Sequence, residues 1–153
     1  MNDTQFTSQK IIEFDRFLSN VNLSVPDGFK IINPFCGDSK DKVDQIIEIF
    51  YHKFYDDNKK RRMILGSSPA RRGTAITGIP YEDAQHLQNQ TEIFIDDFYV
   101  NKSSSSFLYD VIDMYGGTDK FYSDFYMNFI CPLGIVKINS KGREVNCNYY
   151  EDK

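Results

Sequence analysis

Residues 41–57 set Val43, Ile46, Ile47, Phe50 and Phe54 along one stripe, and shortly afterwards RMILG (62–66) runs apolar into a glycine. The first pattern has the period of an amphipathic helix packed on a sheet. The second is too short for a helix, and its place straight after one predicts a buried, parallel strand. A helix that hands over to a strand ending in a glycine-rich loop belongs to the α/β class, in which ligands settle where strand meets loop.

The rest of the chain fits the same class. Ile11, Phe14, Leu18 and Val21 give residues 8–20 the period of a first helix, closed by the turn chemistry of SVPDG (24–28). A short helical piece is expected near Asp83 to Gln88. Ser103 to Ser106 offer N-caps for a helix carrying Phe107, Leu108, Val111, Ile112 and Tyr115, which the pair Gly116 and Gly117 stops. Residues 119–125 continue as a helical turn, 126–131 read as a second core strand halted by Pro132, and 135–139 with 144–148 form a hairpin about SKG (140–142). With only two core strands evident, either the hairpin joins the sheet or closing elements are missing.

At 153 residues with 41% hydrophobic content the chain supports one domain, residues 1–153. Its ten Tyr and thirteen Phe are expected mostly in the core. No apolar run is long enough to span a membrane, and MNDTQFTSQK lacks the order of a secretion signal, so a cytoplasmic monomer without membrane contact is expected. Cys36, Cys131 and Cys147 are widely spaced and the chain has two histidines, which argues against a metal centre. The three are read as reduced thiols, with Cys131 buried in a strand.

The net charge is −4, but Lys53, Lys59, Lys60, Arg61, Arg62, Arg71 and Arg72 face only Asp56 and Asp57 between positions 53 and 72. That local surplus of five leaves −9 for the remainder. Such a rim would draw a phosphate backbone to one face, although cations at a helix end are equally favoured by the helix dipole.

The stretch GSSPARRGTAITGIPY (66–81) holds three glycines and two prolines. It is neither a Walker loop nor a dinucleotide fingerprint. A rigid backbone with exposed N–H groups suits a planar, oxygen-bearing ligand or a phosphate.

The stretch resembles, without gaps, the first active-site motif of the SMUG branch of uracil-DNA glycosylases, GMNPGPxGMxQTGVPF. Gly66, Pro69, Gly73, Thr77, Gly78 and Pro80 match it, and Tyr81 stands for its phenylalanine. FYxxFY (121–126) and CPLG (131–134) are similar to that family's second core strand, so the likeness spans about residues 33–136. It implies a three-layer helix–sheet–helix domain of the uracil-DNA-glycosylase type. It also implies cleavage, without a cofactor, of the N-glycosidic bond of uracil or a related deaminated base in DNA. Gly66, Ser67, Pro69, Ala70, Tyr81, Asn128 and Phe129 would hold the base, Ser68 would position the water, and Arg71, Arg72, Gly73 and Thr77 would meet the DNA.

The sequence departs from the family at four points. Ser68 replaces the water-positioning Asn, Ala70 replaces a Gly, and Phe129 stands where the uracil-reading Asn belongs. Asn128, one step earlier, turns inward only with a bulge. Neither His52 nor His86 sits in the family's His-Pro pair, so both are expected at the surface and the fold is expected to be C-terminally incomplete. Losing that donor typically slows such chemistry on the order of a hundred- to a thousand-fold. Weak excision is therefore expected, with a non-catalytic nucleic-acid-binding remnant or a small-nucleotide binder as alternatives. The bend at 66–81 is expected to cup an extruded pyrimidine in a hollow beside it.

Overall fold

The computed structural model describes residues 5–69, 71, 73–94, 105–148 and 150. Along the chain run α1 (Thr7–Leu18), β1 (Phe29–Ile32), α2 (Lys40–Tyr55), β2 (Arg62–Gly66), α3 (Thr74–Thr77), α4 (Ala84–Thr91), α5 (Ser105–Tyr115), α6 (Thr118–Asp124), β3 (Phe125–Phe129), β4 (Gly134–Ile138) and β5 (Glu144–Asn146). The mixed helix and strand order is that of an α/β protein. Among the described residues, no helix is long and apolar enough to cross a membrane.

The strand pair that follows from the 62–66 and 126–131 segments is parallel, with Met63 beside Tyr126, Leu65 beside Asn128 and Gly66 beside Phe129. The hairpin of β4 and β5 does not join it. It pairs antiparallel with β1, in the order β1-β4-β5. β1 escapes the sequence pattern because it is four residues long and carries Lys30 inside an apolar run. Asn139 shapes the hairpin turn by accepting the N–H groups of Lys141 and Arg143 on its side-chain oxygen, each at 3.0 Å.

Helix α2 is the centre of the core. Its stripe residues Val43, Ile46, Ile47, Phe50 and Phe54 are buried, joined by Tyr51 and Tyr55. Rings of Phe50, Phe54 and Tyr55 meet Tyr122 of α6 at 4.7 to 6.0 Å, edge or tilted contacts that add to the burial of apolar area. Helix α1 packs on α2 through Ile11, Ile12 and Leu18, whereas Phe14 stays exposed.

Two expectations about burial are corrected. Strand β2 is parallel but not buried: Met63 is 61% exposed and Leu65 52%. Among the described residues β2 has one strand neighbour, β3, and α1 stands off from its outer face. An open hollow of about 430 Å³ separates them, lined by Phe14, Met63, Tyr126 and Asn128 among others. Cys131 lies just beyond β3 and is half-buried, because the strand ends at Phe129. All three cysteines are free thiols, as expected.

Gly78 closes α3 at φ +76°, and a β-carbon there would stand 2.9 Å from Val43 Cγ1. Left-handed backbone and a contact into α2 act together, so Gly78→Ala is expected to destabilise the fold by roughly 1–3 kcal/mol in urea unfolding.

Candidate functional site

The loop that leaves β2 is shaped first by the absence of a side chain at Gly66. A β-carbon at that point would lie 2.1 Å from the Tyr81 hydroxyl and 2.9 Å from the Phe129 ring. Tyr81 and Phe129 stack on each other, centroids 4.7 Å apart and planes 28° from parallel. The space beside Gly66 is thus filled by these two side chains in this conformation, and the open hollow expected there is not what the loop presents.

Tyr81 itself is bent against its preference, at φ 65°. A non-glycine residue in the left-handed region costs on the order of 1 kcal/mol or more and persists only where its neighbours impose it. Its N–H donates to Thr74 Oγ1 at 2.8 Å. The hydroxyl of Thr77 donates to the Glu82 carbonyl at 3.1 Å and accepts the Ile79 N–H at 3.2 Å. Thr77 is buried, so it braces the bend from inside and does not present its hydroxyl to a ligand.

A second set of contacts comes from the tail of the chain. Ser67 Oγ and Ser68 Oγ both donate to Asn148 Oδ1, at 3.2 and 3.0 Å. The Arg71 N–H donates to Asn146 Oδ1 at 3.0 Å. The main chain beyond β3 also ties in, Ile130 N–H to the Gly66 carbonyl at 2.9 Å and Cys131 N–H to that of Ser67 at 3.0 Å. Asn146 and Asn148 were not singled out from the sequence. Their signal was available, since residues two apart on an extended chain share a face.

Gly66, Ser67, Ser68, Tyr81 and Phe129 therefore come together, with Pro69 buried beside them. Asn128 does not join them. The β2–β3 ladder carries no bulge, so Asn128 faces the α1 side, where its amide donates to Tyr126 Oη at 2.7 Å. Gly73 precedes α3 and its carbonyl accepts the Ile76 and Thr77 N–H groups. Ala70 and Arg72 lie outside the described residues. Arg71 is half-buried, with its Nε enclosed and without an acceptor.

Part of the basic cluster is tied into the fold, while Lys60 and Arg62 are exposed. The Arg61 guanidinium is 3% exposed, holds both Asp57 oxygens at 2.8 and 3.0 Å, and reaches the carbonyls of Tyr122 and Phe54. That pairing holds the Asp57 carboxyl below its usual range. Lys53 caps the Thr91 carbonyl at 2.6 Å and Lys59 meets Ser123 at 3.0 Å.

Glu82, next to Tyr81, is fully buried. One of its oxygens accepts the hydroxyls of Tyr109 (2.6 Å) and Tyr122 (2.7 Å), joining the bend to α5 and α6. Its other oxygen has no partner. Burial pushes its carboxyl up to about 7, with Tyr109 and Tyr122 holding it back and the charge of Asp83 adding to the rise. His52 is at the surface as expected. His86 is not: its side chain is 17% exposed, it is stacked on Tyr109, and it lies 3.0 Å from Asp83 and 3.2 Å from Ser106 Oγ. It thereby ties α4 to α5.

No protein-family profile matches the sequence, and no curated protein does. Among solved structures the fold superposes on SMUG2 of Pedobacter heparinus with a TM-score of 0.89 and 38% sequence identity, over 97% of this chain. The α/β architecture is that of a uracil-DNA glycosylase fold. In fold and sequence the chain resembles SMUG-like proteins of the uracil-DNA glycosylase superfamily. It spans 63% of the length of the Pedobacter protein.

The raised Glu82 carboxyl sets a pH dependence. Below the ordinary 4.5 the group is protonated in the folded and the unfolded chain alike. Between 4.5 and about 7 the folded chain keeps the proton that the unfolded chain has lost, so stability falls as pH rises through this window. Above it the loss attributable to Glu82 is complete, at roughly 3 kcal/mol. Glu82→Gln is expected to flatten the urea midpoint between pH 4.5 and 7. It leaves the share of Asp15, whose carboxyl is also raised by burial.

Proposed function

We propose that this chain acts on DNA as a base-excision glycosylase fold, taking uracil or a related deaminated base against the bend at Tyr81. The observation that carries this reading is the Tyr81–Phe129 pair over Gly66, with Ser67 and Ser68 next in the same loop, in a chain 38% identical in sequence to SMUG2. A flipped base stacks on Tyr81. Backbone N–H groups near Ser67 and Ser68 face its oxygens, where negative charge gathers as the glycosidic electron pair moves to the leaving base. Ser68 accepts a hydrogen from the water that attacks the sugar carbon.

Two features argue that excision is slow. Ser68 offers one water fewer bonds than the amide it replaces. The base must also displace Phe129 from Tyr81, and such a ring pair is worth about 0.5–1.5 kcal/mol. The same features favour a second reading, in which the site binds DNA and does not cleave.

Oligonucleotides carrying uracil, xanthine or hypoxanthine, single- and double-stranded, distinguish the two. Release of free base that Ser68→Ala abolishes supports the glycosylase. Salt-sensitive binding with no release supports the second reading, and the absence of both removes this function. Arg71→Ala is expected to weaken DNA binding and to lower the slope of log affinity against log salt by about 1. Phe129→Asn, which frees the face of Tyr81 and adds an amide, is expected to raise affinity for uracil-containing DNA about tenfold.

A further inference from the structure

We infer that Asn148 is a specificity-determining residue: by holding the hydroxyl hydrogens of Ser67 and Ser68 on its Oδ1, it turns both serines into acceptors, Ser67 for a base bearing a ring N–H and Ser68 for the attacking water. The inference rests on the function proposed above and deepens it.

A serine hydroxyl carries one hydrogen and two lone pairs, so it reads either a donor or an acceptor unless something fixes it. At 3.2 and 3.0 Å, both hydrogens point at one carbonyl oxygen, whose two lone pairs they saturate. Ser67 and Ser68 are left with lone pairs only. The segment that carries Asn148 is itself held in place. Cys147 is buried and donates its N–H to the Ile135 carbonyl at 2.9 Å, and Asn146 is fixed on the other side by the Arg71 N–H. The β4–β5 hairpin thus carries Asn148 to the loop on a rigid support.

The chemistry of deamination makes such an acceptor useful. Replacing an exocyclic amine by oxygen moves a hydrogen onto the neighbouring ring nitrogen. Uracil therefore bears N3–H where cytosine has a lone pair, and hypoxanthine bears N1–H where the parent adenine has a lone pair. A hydroxyl acceptor at Ser67 accepts the ring N–H of uracil and hypoxanthine and opposes cytosine and adenine; thymine and guanine carry the same N–H, so the contact reads the ring hydrogen and not the deamination itself. Such an acceptor needs no contact that distinguishes a pyrimidine from a purine.

The test measures binding by the whole chain of oligonucleotides whose central nucleotide has a 2′-fluoroarabino sugar, which resists cleavage, and carries uracil, N3-methyluracil or cytosine. The unaltered protein is expected to prefer uracil to both by about tenfold. Asn148→Ala releases the hydroxyls and is expected to reduce the preference below about twofold. Asn148→Asp keeps an oxygen at the same place and is expected to retain the preference. A merely structural asparagine would move Tm and leave the uracil-to-methyluracil ratio alone. Should Asn148→Ala fail to fold, the pair Ser67→Ala with Ser68→Ala gives the same readout. Retention of the preference in Asn148→Ala or in the double serine variant overturns the inference alone. So does its loss in Asn148→Asp, which would mean that the amide nitrogen faces the serines. No preference for uracil over cytosine in the unaltered protein overturns the proposed function with it.

Discussion

The register between β2 and β3 decides what meets at the head of the loop. Gly66 stands beside Phe129, and Leu65 beside Asn128. Successive residues of a strand face opposite sides, so a slip of one position would set Asn128 beside Gly66 in place of Phe129. In the observed register the only residue of β2 without a side chain lies next to a ring, and Tyr81 closes over both. The chemistry available to the loop follows from that alignment: two aromatic faces and two hydroxyls, with the Asn128 amide left on the α1 side.

The bend from Gly78 to Glu82 is held in a conformation that its own residues do not favour. Tyr81 is left-handed, and Glu82 is a carboxyl buried with one oxygen unpartnered. Both are sustained from outside, Tyr81 by the hydroxyl of Thr74 and Glu82 by the hydroxyls of Tyr109 and Tyr122. Strain and burial of this kind need a surrounding structure that over-determines the geometry. Two helices and α3 supply it here, which couples the position of the Tyr81 ring to α5 and α6.

Much of the frame was legible in the sequence, because long stripes and short apolar runs report directly on period. The α2 stripe is buried as read, β2 spans Arg62–Gly66, and the β3 segment pairs parallel to it. What escaped the reading depends on neighbours and not on period. β1 is recognisable only once β4 is placed beside it. The exposure of Met63 and Leu65 follows from how many elements cover β2, which an apolar run does not encode. The motif at 66–81 placed Gly66 and Tyr81 together, but the hydroxyl acceptor at Asn148 lies 80 residues from Ser68 and is brought there by the hairpin.

A site at the end of a strand is usually stiffened by neighbours on both edges, and β2 has β3 on one edge alone among the described residues. The contacts gathered at its head supply part of what a second strand would. Asn146 and Asn148 reach across from the hairpin to Arg71, Ser67 and Ser68, and the main chain past β3 extends the pairing to Gly66 and Ser67. The Tyr81–Phe129 pair then fixes the loop to β3 from the other side. A base that opens this pair removes one of these restraints and leaves the asparagine strap to keep the serines in place. The strap and the ring pair therefore have separable duties, one holding the polar groups in register and the other yielding to the ligand.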